Sequence, residues 1–184
     1  MLKSYQANGQ WDESAEVLAQ AAENLEKAGA DFVLICTNTM HKVAPQVQSR
    51  IHIPLVHIAE ATADALKENN ISKVGLLGTK YTMTQEFYKN KLIEAGIDVL
   101  IPEGDDINIV NDIIYNELCL GDVKAASKKE YLRIIENLKQ RGAQGVILGC
   151  TEIGLLIQQQ DTELPVFDTT QIHATKAALL SIEK

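Results

Sequence analysis

Six short apolar runs alternate with segments of helical periodicity along this chain. A short continuous apolar run is typical of a strand that is buried on both faces. The runs cover residues 32–35, 53–56, 74–78, 99–101, 146–148 and 165–167. Because strands that alternate with helices form βαβ units, the sequence predicts an α/β fold with mostly parallel sheets flanked by helices.

The first helix is predicted over residues 11–28, where Val17, Leu18 and Leu25 fall on one face. We expect Gly29 to end it, because glycine enters the left-handed cap conformation without steric cost. The same periodicity predicts helices over residues 59–66, 84–95, 110–118, 125–141 and 170–182.

Composition narrows the class of partner. The 184 residues include 17 Lys plus Arg against 25 Asp plus Glu, a net charge of −8. This balance argues against a nucleic-acid partner, which requires clustered cations, and favours a small molecule. No apolar stretch approaches the roughly 20 residues needed to span a bilayer, so we expect no membrane partner. Three cysteines and no signal-peptide pattern predict free thiols in the cytoplasm.

The sequence contains an internal repeat. Glu23-Asn24-Leu25 reappears as Glu136-Asn137-Leu138, and Cys36-Thr37 reappears as Cys150-Thr151 after one inserted residue. The repeat predicts two pseudo-symmetric lobes, the first made of residues 1–58 and 168–184 and the second of residues 59–167.

The two copies are unequal. Residues 73–113 precede the second copy, and the first copy has no counterpart of them. We therefore expect the first lobe to lack its opening strand–helix–strand unit, as in an N-terminally truncated relative of a longer two-lobed protein.

Each Cys-Thr pair ends a predicted buried strand, and ligands of open α/β sheets bind at that edge. Hydroxyls, amides and backbone N–H groups at a helix start can anchor a carboxylate, and the same dipole lowers a thiol pKa. Cys36 and Cys150, on related lobes, would then face each other across a cleft. One thiolate could remove a proton from a carbon while the other thiol returns one to the opposite face, which inverts a stereocentre.

Other interpretations of these residues stay open. A single cysteine at a strand end is commonly a small buried hydrophobe. A redox pair lacks the Cys-x-x-Cys spacing, and a zinc site lacks nearby ligands, so we predict no metal. His41 and His173 could tune the thiols or belong to the core, whereas we interpret His52, His57 and Cys119 as structural.

Segments 36–41 (Cys-Thr-Asn-Thr-Met-His) and 148–155 (Leu-Gly-Cys-Thr-Glu-Ile-Gly-Leu) resemble the aspartate/glutamate racemase family. Segments 74–82 and 165–168 also resemble its pattern. The resemblance implies two α/β lobes, a cleft site, no pyridoxal phosphate or other cofactor, and a homodimer. The sequence departs from the family's pattern at the N-terminus, where the family's opening strand and Gly-Gly-Met-type turn are absent.

By position in these motifs, the resemblance implies that Cys36 and Cys150 are the two catalytic acid/bases. Glu152 becomes a polar neighbour that influences Cys150. The implied ligands of the substrate's α-carboxylate and amino group are Thr37, Asn38, Thr79, Thr82 and Thr151.

The leading hypothesis is a cofactor-independent racemase of the aspartate/glutamate type, with a hydantoin racemase as a relative to consider. The alternative is a catalytically impaired, truncated homologue that acts as a carboxylate-binding or oligomerisation module. A nucleotide-binding domain is disfavoured, because the Gly78-Thr79 turn matches neither the Walker loop nor the dinucleotide fingerprint.

Overall fold

The computed structural model describes residues 2–182 and confirms the α/β class. Strands and helices alternate through most of the chain. The strands are β1 (Val33–Leu34), β2 (Leu55–Val56), β3 (Lys73–Gly78), β4 (Asp98–Leu100), β5 (Val146–Gly149) and β6 (Val166–Asp168). The helices are α1 (Leu2–Ala7), α2 (Trp11–Lys27), α3 (Ala44–Gln48), α4 (Ile58–Glu68), α5 (Lys80–Thr84), α6 (Glu86–Glu94), α7 (Asp106–Asn116), α8 (Ala125–Gln140) and α9 (Thr169–Ile182).

The strands form two parallel sheets. β1 and β2 pair through Val33 with Leu55. The larger sheet has the order β4-β3-β5-β6, and Leu77 of β3 is in register with Leu148 of β5. All of these pairings are parallel, so the carboxyl ends of the strands within each sheet point the same way.

Both faces of the larger sheet are covered, as its continuous apolar strands predict. Successive strand residues point to opposite faces. Leu76 and Ile147 pack with α4 and α6 on one face, whereas Leu77 and Leu148 pack with α7 and α8 on the other. The small sheet has its own core, in which α2 and α3 cover β1. Gly29 follows α2 with φ +93°, which confirms the predicted helix end.

Several local predictions needed correction. The helix predicted over residues 84–95 is interrupted, because Gln85 is extended (φ −91°, ψ 154°) between α5 and α6. Of the strand predicted over residues 53–56, only Leu55–Val56 forms a strand, which is β2. The sequence also gave no signal for α1, for the 3₁₀ helix Thr39–Val43, or for α3 directly after it.

The division into two lobes stays a prediction, and residues 1, 183 and 184 of the proposed first lobe lie outside the described residues. Helix α9, assigned to the first lobe, packs beside α4, which is assigned to the second. Across residues 2–182, no helix combines the length and apolar character needed to cross a membrane.

Candidate functional site

Four strands deliver polar residues to the same region of the fold. Thr79 directly follows β3, Cys150 follows β5, Thr169 follows β6, and Cys36 lies two residues beyond β1. The carboxyl edge of a parallel sheet is where α/β proteins place ligands. A cavity of about 350 Å³ opens there. Its wall includes seven of the predicted site residues, namely Cys36, Thr37, Asn38, Thr79, Cys150, Thr151 and Glu152.

Residues 36–39, here called the Cys36 turn, are bonded through their backbone to His41, which is 1% exposed. The Nε2 atom of His41 accepts from the Ile58 N–H at 3.1 Å, so the proton lies on Nδ1, which donates to the Thr37 carbonyl at 2.8 Å. Burial, followed by the neighbouring His57, lowers the pKa of His41 to about 3. His41 is therefore neutral, and it holds the backbone next to Cys36 rather than the thiol itself.

The other two buried histidines also bond to backbone groups. His57 caps α4 by accepting from the Ala59 N–H at 3.2 Å, and His173 bonds the Val56 carbonyl at 2.7 Å. Their rings belong to a cluster around His41, with ring centroids 4.5 Å and 5.8 Å away. Burial lowers the pKa of both.

Three threonine hydroxyls join the Cys36 turn to the turn after β3. The Oγ1 atom of Thr39 lies 3.0 Å from that of Thr79 and 3.5 Å from that of Thr82. Thr82 also bonds to Thr79, at 3.2 Å, and it is fully buried. Thr82, which the sequence suggested as a substrate ligand, thus lies behind Thr79 instead of in the cavity wall.

Close contact between the backbones of β3 and β5 fixes the position of Cys150. Gly149, the residue before it, is in register with Gly78 of β3. A Cβ on Gly149 would lie 2.8 Å from the Leu77 carbonyl oxygen, and one on Gly78 would lie 2.9 Å from the Gly149 oxygen. Only glycine permits this close approach of the two strands. The two glycines therefore fix the path of the chain into residues 150–152, here called the Cys150 turn.

The Cys150 thiol donates a hydrogen bond to the Glu152 carboxylate, with Sγ and Oε2 3.0 Å apart. Cys150 is 9% exposed. Burial raises the pKa of its thiol, and the hydrogen bond to Glu152 and the negative charge there raise it further. The expected lowering of this pKa by a helix dipole is therefore wrong for Cys150. A short 3₁₀ turn, Ile153–Leu155, follows it, and a carboxylate is the nearest charge.

A buried hydrogen-bond chain links the two cysteine turns. Asn38 Nδ2 donates to the Thr169 hydroxyl at 3.0 Å, and that hydroxyl donates to the Leu148 carbonyl at 2.9 Å. Asn38 Oδ1 is buried and has no hydrogen-bond partner within the described residues. Buried acceptors are normally satisfied, so this unpartnered oxygen is unusual, and it belongs to a residue of the cavity wall.

The wall also contains residues that sequence reasoning did not select. Cys119, interpreted as structural, lines the cavity, as do Gln6 and Tyr115, which bond to each other at 3.2 Å. Gln6 and Tyr115 also line a neighbouring cavity of about 580 Å³. No signal in the sequence pointed to them, because α1, α7 and the turn after α7 meet the Cys-Thr segments only in the folded chain.

With this geometry in place, comparisons with known proteins identify the family. The family model described as Asp/Glu/Hydantoin racemase matches residues 2–177. The chain therefore belongs to the Asp/Glu/Hydantoin racemase family, which confirms the resemblance seen in its motifs.

Two solved structures are similar over nearly the whole chain. A candidate Asp/Glu racemase from Yersinia pestis is 48% identical with a TM-score of 0.93, and the match covers 98% of this chain and 79% of that one. An aspartate racemase homologue from Pyrococcus horikoshii OT3 is 38% identical with a TM-score of 0.86, covering 96% and 78%.

Curated relatives agree with this assignment at lower identity. The broad specificity amino-acid racemase RacX of Bacillus subtilis (strain 168) is 24% identical over 164 residues, which cover 86% of this chain and 68% of RacX. Glutamate racemase of Aquifex pyrophilus is 24% identical over 165 residues, covering 89% of this chain and 61% of that enzyme. Together these findings place the chain in a family of racemases, which are isomerases that act on small molecules.

Proposed function

We propose that this protein inverts the α-carbon of a free amino acid of the aspartate/glutamate type, using Cys36 and Cys150 as the two proton-transferring groups. The observation that carries the proposal is their shared cavity: two cysteines from turns after different sheets line one space of about 350 Å³. Inversion needs an acid and a base on opposite faces of one carbon, and groups from two separate turns can meet that need.

The protonation of Cys150 sets the order of the proposed steps. Burial and Glu152 hold Cys150 as a thiol. In the direction that starts from this form, the Cys36 thiolate removes the α-proton and the Cys150 thiol delivers its own proton to the opposite face. Cys36 ends as the thiol and Cys150 as the thiolate, so the number of protons is unchanged. The reverse direction starts from that second form.

The reacting carbon carries negative charge between the two steps, and polar groups in the wall would stabilise it. The hydroxyls of Thr37, Thr79 and Thr151 line the cavity and can donate to the α-carboxylate. The unpartnered Oδ1 of Asn38 can accept from the α-ammonium group. These assignments would orient the α-proton toward one sulfur.

Deuterium incorporation at the α-carbon tests the function directly. The protein is incubated in D₂O with each enantiomer of aspartate and glutamate, and NMR follows loss of the α-proton signal while chiral chromatography follows inversion. The proposal expects both enantiomers of one substrate to exchange and to interconvert. A folded protein that exchanges neither substrate would instead favour a carboxylate-binding or oligomerisation module.

Two further features belong to the same proposal. The proton transfers need reduced thiols, and Cys36, Cys119 and Cys150 are outside disulfides, which supports a reducing compartment such as the cytoplasm. We also propose a homodimer, as the family resemblance implies, and light scattering of the purified protein would measure its mass.

A further inference from the structure

Thr169 occupies a position between the two cysteine turns. It is the first residue of α9, directly after β6, and it is fully buried. Its hydroxyl accepts from Asn38, two residues after Cys36, and donates to the carbonyl of Leu148, two residues before Cys150. One hydroxyl therefore connects the turn that carries Cys36 with the end of β5, directly before Cys150.

The direction of each hydrogen bond in this chain is determined. The Nδ2 group of Asn38 can only donate, so the Thr169 oxygen must accept from it. The Leu148 carbonyl can only accept, so the Thr169 proton must point to it. A hydroxyl can serve both neighbours at once, whereas an apolar side chain of the same shape can serve neither.

The position of this link matters because the Cys36 turn belongs to the small sheet and Cys150 to the large one. We propose that Thr169 is a positioning residue that sets the spacing of the Cys36 and Cys150 sulfurs by joining their turns through its hydroxyl. The consequence for catalysis rests on the proposed function, whereas the spacing itself does not.

Misplacement of a reacting group by about 1 Å can lower a rate on the order of 10²-fold. Loss of the Thr169 hydroxyl should therefore reduce inversion more strongly than exchange. A single well-placed sulfur can remove and return a proton on one face, but inversion needs both sulfurs in register with the same carbon. The ratio of inversion to exchange is thus sensitive to spacing and insensitive to the fraction of folded protein.

The test compares Thr169→Val, which keeps the shape and removes the hydroxyl, with Thr169→Ser, which keeps the hydroxyl. Both are treated at pH 8.5 with bis(methanethiosulfonate) reagents whose spacers lengthen by one methylene at a time, in long incubations because the buried Cys150 thiol reacts slowly. Mass spectrometry of the digested protein then identifies the Cys36–Cys150 cross-link separately from any product at Cys119. Circular dichroism establishes that each variant is folded, and Thr169→Ala replaces Thr169→Val if the latter does not fold.

We expect the parent and Thr169→Ser to share one preferred spacer, and Thr169→Val to shift or broaden that preference. In the same variant, the ratio of inversion to exchange should fall by about tenfold or more. An unchanged spacer preference and an unchanged ratio in folded Thr169→Val would overturn the proposal. If the parent shows no exchange, the racemase function fails, but the spacer preference still decides whether Thr169 sets the spacing.

Discussion

The Cys150 thiol and the Glu152 carboxylate form a hydrogen bond across 3.0 Å, in which the sulfur is the donor. In the proposed mechanism, this contact prepares Cys150 to act as the proton donor. In that proposed reaction, loss of the thiol proton would leave two negative groups side by side, so delivery of the proton would act against their repulsion.

Replacing Glu152 with glutamine should lower the pKa of Cys150, because the amide keeps the shape of the side chain but removes the negative charge. Burial remains, so the pKa should stay above its ordinary value. Below the pKa, the thiolate fraction of Cys150 should rise by about tenfold for each unit by which the pKa falls. The alkylation rate by iodoacetamide should then rise by about threefold per unit, because a less basic thiolate is a weaker nucleophile. Mass spectrometry of the Cys150 peptide measures this rate across pH, and an unchanged profile would contradict the role assigned to Glu152.

Substituting Cys119 with serine tests whether a cysteine that lines the cavity must also transfer a proton. Cys119 lines the same cavity as the other two cysteines, but the proposed steps do not use it. Racemisation by Cys119→Ser should therefore stay within about threefold of the parent, since no proton-transferring group is removed. A loss as large as that of a Cys150 variant, in a folded protein, would show that Cys119 is one of the two acid/bases.

The stability of the protein should fall in mild acid because of its buried histidines. Burial lowers the pKa of His41 to about 3 and that of His57 to about 4, whereas an unfolded histidine titrates near 6.5. Above pH 6.5 both states are neutral and the full stability is present. As pH falls below that value, only the unfolded state gains protons, so each of these histidines reduces the free energy of unfolding by roughly 1.4 kcal/mol per pH unit.

Urea denaturation between pH 7.5 and 5 measures this slope. His41→Asn should make the slope shallower by roughly 1.4 kcal/mol per pH unit, which is the contribution of one proton. The control is His52→Gln, which removes a histidine at the surface, where the side chain is 96% exposed. Equal slopes for the parent and His41→Asn would show that His41 is protonated in the folded protein.

Gly149→Ala should disturb the Cys150 turn. The added Cβ would lie 2.8 Å from a backbone oxygen of β3, which cannot move without displacing the strand. We expect a loss of about 1–3 kcal/mol in the free energy of unfolding and a change in the alkylation rate of Cys150. Gly104→Asn is the control, because nothing lies within 4 Å of its Cβ position and asparagine tolerates its φ of +56°. Equal stability of Gly149→Ala and the parent would refute the close-contact argument.

The sequence predicted the α/β class and the positions of both cysteines at strand ends, because apolar runs and turn residues are local signals. It could not predict that Thr82 lies behind Thr79, since the direction of a side chain depends on contacts with the Cys36 turn. The role of Thr169 could not be predicted for the same reason, because its partner Asn38 is 131 positions away in the chain. The pKa of Cys150 was also mispredicted, because burial is a property of the packed fold and not of a motif.

The most direct test of the central claim is the stereochemistry of α-proton exchange in two variants that each lack one of the proposed catalytic cysteines, Cys36→Ser and Cys150→Ser. With two opposed thiols, each variant should lose inversion by about 10²-fold or more, and any exchange that remains should be confined to one enantiomer, the opposite one in each variant. Inversion at the parent rate in either variant, with the protein folded, would contradict the two-thiol account.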